Sequence, residues 1–350
     1  ALEWTKASEI NPGQRHVIIE TDQLITTDFS AVSFGGQSSQ VDYLVLDGHV
    51  DPGQLSYSVG LELAWLASQD KAHGTFTLAG AADVFEVDVT LNDRSGPFAS
   101  RWTGRDLTKN GAGTLILSRA NDYSGFTEVN SGLLSLTADG ALGRTSLFSL
   151  ASGAAAELNG TSQTIGRLDA ASSSQLDFGG GLLTINENQR ESGDQNDSVI
   201  AGDVLTGSGG ILLAPATLTV TGANADYTGD VTVTNGSTLT LNDAAGVGLR
   251  GVINLDQAND RLVLDITSGT QEDFSKTLAG IGRTDIRNSS DINLTGNNQG
   301  YSGLFNIESG AALKASTAEN LGLSKIDLAG SLNLDSSSDW AMMNTINGQG

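Results

Sequence analysis

The chain contains no cysteine, only four prolines and only three histidines in 350 residues. Without cysteine there are no disulfides, no thiolate nucleophile and no Cys-based zinc site. Basic residues are scarce as well: 18 Lys and Arg stand against 41 Asp and Glu, a formal net charge of −23. That balance lacks the positive footprint that nucleic acid or an anionic membrane surface requires. It fits solubility, cation binding, or a partner that presents Lys and Arg. No stretch approaches the roughly 18 consecutive apolar residues of a membrane-spanning helix. Charged residues make up 17% and aromatics 5%, so Ser, Thr, Asn and Gln must cover most of the surface. The histidines (His16, His49 and His73) are scattered, with no spacing that suits a metal or a catalytic triad. No G-x-S-x-G, H-E-x-x-H or phosphate-binding loop occurs. No charged and apolar leader opens the chain at Ala1, so any signal peptide is expected to have been removed. Residues 340–350, WAMMNTINGQG, read as the opening of a further repeat, and the chain is expected to be a piece of a longer protein.

What the chain does have is glycine, 44 residues of it, set in an internal repeat. Residues 107–143 read LTKNGAGTLILSRANDYSGFTEVNSGLLSLTADGALG. The Asn121–Gly125 element NDYSG returns as Ala225-Asp226-Tyr227-Thr228-Gly229 and as Gln299-Gly300-Tyr301-Ser302-Gly303. Six residues after each tyrosine comes a β-branched apolar residue (Val129, Val233, Ile307), and nine after it a glycine (Gly132, Gly236, Gly310). A leucine follows (Leu134, Leu239, Leu313), then Leu142-Gly143, Val247-Gly248 or Leu321-Gly322. A repeat of this kind decides the architecture before any single element does.

Each unit holds several short strands. In Val231–Asn242, VTVTNGSTLTLN, Val231, Val233, Leu239 and Leu241 alternate with threonines on either side of an Asn-Gly turn. Alternation with period two puts one set of side chains inside and the other in water. Ribbons of four to six residues cannot bury a core by themselves. They must stack on copies of themselves, and a parallel β-helix is the simplest solid that results.

These residues also resemble a known family. Asn110-Gly111-Ala112-Gly113-Thr114-Leu115, then Asn121-Asp122-Tyr123-Ser124-Gly125, Gly132 and Ala141-Leu142-Gly143, with Gln163-Thr164-Ile165-Gly166-Arg167-Leu168 beyond, resemble the passenger-associated repeat of Gram-negative autotransporters, in particular AIDA-type adhesins. In the later copies Gly207-Ser208-Gly209-Gly210 and Ala279-Gly280-Ile281-Gly282 stand in for the Gly-x-Gly start. The resemblance runs from about Leu107 onward; before it, only composition matches. It implies a right-handed β-helical passenger displayed outside the cell. Its only membrane attachment would be a C-terminal translocator barrel, which this chain does not include.

The expected fold is therefore all-β, a right-handed parallel β-helix with loop excursions. Residues 1–106 are expected to supply an N-terminal cap and the first coils, with Trp4 as a lid. Residues 107–350 are expected to hold three repeats. Coils of about 20–25 residues stacked about 4.8 Å apart give a rod of roughly 65–85 Å. Phe85, Val87, Val89 and Leu91 are expected inward on a strand over 83–91, Leu61, Leu63 and Trp65 on one face of another, and Asp51-Pro52-Gly53 at a turn. The polar run 186–198, NENQRESGDQNDS, must leave the solenoid as a loop, and 268–275, SGTQEDFS, reads as a smaller excursion.

Two clusters are candidate binding sites. Arg94, Arg101, Trp102, Arg105 and Lys109, with Phe98 among them, form a basic-aromatic group that suits sulfated or carboxylated glycans. The acidic excursions carry Glu187, Arg190, Glu191, Asp194 and Asp197, with Glu272 and Asp273 on the smaller one, and could hold Ca²⁺ or a basic partner. No metal or cofactor is assigned, and no D-x-D-x-D-G loop is present. Glu86 with Asp88 is the formal carboxylate pair for a glycoside hydrolase. The leading functional expectation is a non-enzymatic cell-surface adhesin. Its passengers would self-associate between neighbouring cells and tie them into aggregates and biofilm. The alternatives are an adhesin for host matrix protein or glycosaminoglycan, and a carbohydrate-active enzyme.

Overall fold

The computed structural model describes residue 6 and residues 16–26, 41–242, 249–266 and 270–348, with the side chains of 47 and 49 excepted. Trp4 and Val247-Gly248 lie outside the described residues. Thirteen strands form one continuous sheet running from Thr75–Thr77 to Thr345–Gly348. Every neighbouring pair in it is parallel. Its strands are one coil apart: Phe126 sits beside Leu147, and Leu147 beside Arg167. Shorter sheets of six, six and four strands build the remaining walls. Parallel strands reached by successive turns of the chain make a β-helix, and twelve steps of about 4.8 Å give it a span of roughly 58 Å. Coil-to-coil bonds join residues 20 apart at Asn121 and Ala141 and 25 apart at Gln163 and Ala138, the coil length that the repeat implies.

The alternation is realised as expected. Val231, Val233, Leu239 and Leu241 are all buried, and their outward threonines sit in register with the next coil. The tyrosine-glycine element has a mechanical reason. Tyr123, Tyr227 and Tyr301 are fully buried, and each hydroxyl reaches back over the turn that follows. Tyr227 donates to the Asp230 carbonyl at 3.2 Å, Tyr301 lies 2.9 Å from that of Leu304, and Tyr123 is 2.8 Å from Thr127 Oγ1. Beneath the ring the coils touch backbone to backbone. A Cβ at Gly229 would lie 1.9 Å from the Gly209 carbonyl oxygen, and one at Gly303 1.9 Å from that of Gly282. Only glycine fits there. An asparagine just before each tyrosine ties the coils together. Asn121 accepts from Leu91 N–H and donates to the Ala141 carbonyl; Asn298 accepts from Leu278 N–H and donates to the Asn320 carbonyl. Asn224 accepts from the N–H groups of Val204 and Leu205.

The N-terminal region is built differently from the rest. His16–Glu20, Leu44–Val50 and Ser56–Leu63 form an antiparallel three-stranded sheet, and the first strand of the long sheet is Thr75–Thr77. Asp51 to Gln54 makes the turn, with Gln54 N–H donating to the Asp51 carbonyl at 2.7 Å. Val17 and Ile18 stay exposed. Tyr43, Leu63, Phe76 and Phe85 carry the apolar core up under this sheet.

Two expectations need correction. The strand expected over 83–91 stops at Val87: the chain bends at Val89, which only packs on the core margin, while Leu91 turns back into the interior. The excursion expected over 268–275 is wall from Glu272 on. Glu272–Phe274 pairs in parallel with Asp291–Leu294, with Phe274 buried. One apolar residue at the end of a polar run was enough to anchor a strand.

Candidate functional site

The basic-aromatic group does not converge on a ligand. Arg94 points inward, its Nη1 donating to the carbonyls of Trp65 and Ala67 at 2.7 and 2.6 Å, with its guanidinium 5.8 Å from the Phe98 ring centre. Trp102 packs edge-on against Trp65 at 4.7 Å and donates its indole N–H to the Asp106 carbonyl at 2.8 Å. Lys109 is wholly buried inside the coil, its Nζ donating to the carbonyls of Asn110, Gly111 and Ser131 at 3.0, 2.7 and 3.0 Å. Its inward register position decides this, and desolvation pushes its pKa down to about 8. Arg101 is exposed, on a left-handed turn with φ 61°. It borders a groove of about 490 Å³ shared with His73, Trp102 and Phe126, whose wall also carries Asp42, Asp106 and Glu128. Three carboxylates beside one guanidinium do not suit a polyanion.

The run 186–197 does leave the coil, but it folds back onto the wall. A short 3-10 turn, Glu187–Gln189, is capped by Asn186. Glu187 accepts from Thr217 N–H at 2.6 Å and pairs with Arg190. Asp194 pairs with Arg167 at 2.9 Å, and Glu191 with Arg105 at 3.2 Å. Burial alone would raise the Asp194 carboxyl, and the Asn196 N–H and Arg167 outweigh it, holding that carboxyl below its ordinary range. The two candidate clusters thus meet through Arg105 and Glu191, each spending charge on the other. Glu272 and Asp273 stand apart, on a different sheet, where Asp273 accepts from Asn293 at 2.6 Å. Among the described residues no group of three or more acidic or histidine side chains is placed to share a metal ion.

Glu86 is held in its charged form, first by its bond to Lys6 and then by that from Ser118. A general acid needs the opposite shift.

Sequence reading missed a buried charge cluster around Asp285. Asp285 sits on the outer side of the long sheet yet is wholly buried, because arginines from two coils close over it. Arg261 donates both Nε and Nη2 to its Oδ2 at 3.0 and 2.5 Å, Arg283 Nε reaches Oδ1 at 2.5 Å, and Asn306 Nδ2 reaches Oδ1 at 2.9 Å. Arg287 Nη2 lies 3.9 Å away, and its Nε lies 3.0 Å from Glu308. Burial would raise the Asp285 carboxyl; the bonds from Arg261 and Arg283 overcome that and hold it low. The signal was present as Arg261 one coil before Arg283-x-Asp285, legible only once the coil length places them side by side.

The outward column through this site has a second feature. Following the register, Asp169, Val199, Thr219, Thr240, Val263 and Asp285 stand one above another. Thr217 and Thr238 stand beside them. Val199, Thr219, Thr240 and Val263 carry no charge, whereas Arg261 follows Thr238 on the next coil and the Glu187 carboxylate accepts from Thr217 N–H.

With this geometry in view, the passenger-associated-transport-repeat family matches residues 107–136 and 215–242, two of the three tyrosine-centred stretches. The chain is similar to the uncharacterized lipoprotein YdeK of Escherichia coli K12, 32% identical over 246 residues, 70% of this chain and 17% of that protein. It is similar to the adhesin BmaC autotransporter of Brucella suis biovar 1, 30% identical over 268 residues, 73% of this chain and 7% of that protein. The uncharacterized protein YuaQ of Escherichia coli K12 is 32% identical over 182 residues, 51% of this chain and 12% of that protein. The chain therefore spans less than a fifth of the length of each of these relatives. The two repeat matches on a stacked β-solenoid, with the likeness to an autotransporter adhesin, support an autotransporter passenger domain.

Proposed function

We propose that this passenger segment belongs to a non-enzymatic cell-surface adhesin of a Gram-negative bacterium. Its rods associate laterally, wall against wall, and so hold cells together. The observation that carries this reading is the uncharged outward column of the long sheet that runs from Val199 through Thr219 and Thr240 to Val263. In a molecule of net charge −23, an uncharged column with outward hydroxyls is where two copies can approach without bringing like charges together. Each hydroxyl bond contributes only about 1 kcal/mol net, so association rests on many of them in register. The adhesin name of the Brucella relative agrees with the reading.

The sign of the salt effect follows from the charge. Two rods of −23 repel at long range, and salt shortens that repulsion to a Debye length of about 8 Å at physiological ionic strength. Sedimentation velocity of the purified segment is expected to show association that strengthens as salt rises from low to physiological. Thr219→Glu with Thr240→Glu, both outward and one coil apart, is expected to leave the solenoid folded and the protein monomeric. Association that is unaffected by these substitutions, or that weakens with added salt, would refute the assignment.

A further inference from the structure

We infer that the groove between the long sheet and residues 98–106 binds a glycan that carries free amines. It holds about 490 Å³, within the range of small-ligand clefts. Its floor is a column on three successive coils, Thr75, Thr108 and Glu128. The half-buried Phe126 stands two residues before Glu128 on the same outward side. Trp102 closes the rim, packed edge-on against Trp65 with part of its side chain still in solvent. Three carboxylates, those of Asp42, Asp106 and Glu128, line the groove with a single guanidinium, that of Arg101. The neighbouring Arg105 pairs with Glu191, and Lys109 is buried inside the coil. The groove therefore presents a net negative lining beside aromatic rings.

The carboxylates have different duties. Asp42 accepts from Thr77 N–H at 2.7 Å and Asp106 from Phe126 N–H at 2.9 Å. These bonds fix both side chains on the walls and leave their charge in place, because the donors are neutral. Glu128 stands between Thr108 and Ser149 in its column, neither of them charged. It is the carboxylate left to pair with an ammonium. A cation beside a carboxylate and over a ring is held by a charge-assisted hydrogen bond and by the negative face of the ring together. A pyranose ring supplies the rest. Its C–H face packs on Phe126, and its hydroxyls meet those of Thr75 and Thr108. His73 takes the Thr75 N–H on Nδ1 at 3.2 Å, which leaves Nε2 as a further donor. From Thr75 to Glu128 the floor runs about 10 Å along the rod at the usual strand spacing, the length of a disaccharide. A lysine side chain would satisfy the charge and leave the hydroxyls unused. The groove is separate from lateral self-association, since Ser149 and Asp169 stand between Glu128 and the uncharged column that begins at Val199.

The test is calorimetric titration of the intact chain with a short oligomer of glucosamine. The N-acetylated form of the same oligomer and a lysine peptide of equal charge are titrated beside it. Three variants accompany the wild type: Glu128→Gln, Phe126→Ser and, as a remote control that also removes one carboxylate, Asp327→Asn. Circular dichroism checks the fold of each, and Glu128→Gln keeps the test open should Phe126→Ser disturb the wall. Wild-type binding of the glucosamine oligomer is expected to weaken with added salt. Glu128→Gln is expected to lose about tenfold or more, the size of one charge-assisted hydrogen bond, and Phe126→Ser a similar factor. Asp327→Asn is expected to bind as the wild type does, and the N-acetylated oligomer and the lysine peptide to bind at least about tenfold more weakly than the glucosamine oligomer. Absence of glucosamine binding by the wild type would overturn the proposal. So would equal binding of the N-acetylated oligomer or of the lysine peptide, or a loss at Asp327 as large as that at Glu128.

Discussion

Raising the pH from 10 to 12 is expected to unfold the solenoid in a steep transition, because each repeat buries one tyrosine. Burial pushes the Tyr123 phenol up to about 12 and lifts those of Tyr227 and Tyr301 further; Tyr43, near the cap, is also raised to about 12 by desolvation. The sign follows from proton binding. Below pH 10 the phenol is neutral in both states, and the whole contribution is present. Above pH 10 the unfolded chain releases its protons while the folded one keeps them, so stability falls until the folded pKa is passed. Each phenol takes away up to about 1.4 kcal/mol per pH unit, so the three repeat tyrosines together remove about 4 kcal/mol per unit. The check is circular dichroism followed alongside tyrosinate absorbance. The β signal and the phenol are expected to change together, well above pH 10. Tyr227→Phe, which keeps the ring and loses the hydroxyl, is expected to make the transition shallower. Tyrosinate forming near pH 10 with the β signal intact would mean that the rings are not inside the coils.

Removing the Asp285 carboxylate is expected to have the next largest effect. Asp285→Ala leaves Arg261, Arg283 and Arg287 crowded on the wall without their shared anion, and breaking a buried ion pair by deleting one partner costs about 3–5 kcal/mol. The same linkage predicts acid sensitivity. Because this carboxyl is held below its ordinary range, its contribution is present above the unfolded pKa of about 3.9 and is lost as pH falls through the folded value. A solenoid's stability is a sum over neighbouring coils, so the loss is expected to be local. Hydrogen exchange should quicken in Arg261–Leu264, Arg283–Ile286 and Leu304–Ile307 and stay slow around Leu147–Leu150. A cost under about 1 kcal/mol, the size of an exposed salt bridge, would show that the cluster is a surface decoration.

The solenoid was legible in the sequence because it is written locally. Tyrosine, glycine and the period-two alternation each report on a few neighbouring residues, and the register among coils follows from their spacing. The asparagine that ties coils together was visible only at Asn121. Asn224 and Asn298 stand one residue further from their tyrosines, and the pattern hid them. The sites were less legible, because a binding site in a solenoid is assembled across coils. Arg94, Arg105 and Lys109 look like one basic cluster along the chain. Yet the coil turns Lys109 inward, spends Arg94 on two carbonyls and pairs Arg105 with Glu191 from another coil. Conversely, Arg261 and Arg283 look unrelated in sequence and are wall neighbours in space. Side-chain direction, which alternates at every residue, and coil length, which varies by a few residues, must both be known before such neighbours can be read.

The most direct test of the account is a settling assay with two differently labelled bacterial populations, one displaying this passenger segment and one not. Displaying cells are expected to clump with one another, non-displaying cells to stay outside the clumps, and Thr219→Glu with Thr240→Glu on the displayed chain to abolish clumping. Displaying cells that remain dispersed, or clumps that take in both populations equally, would contradict it.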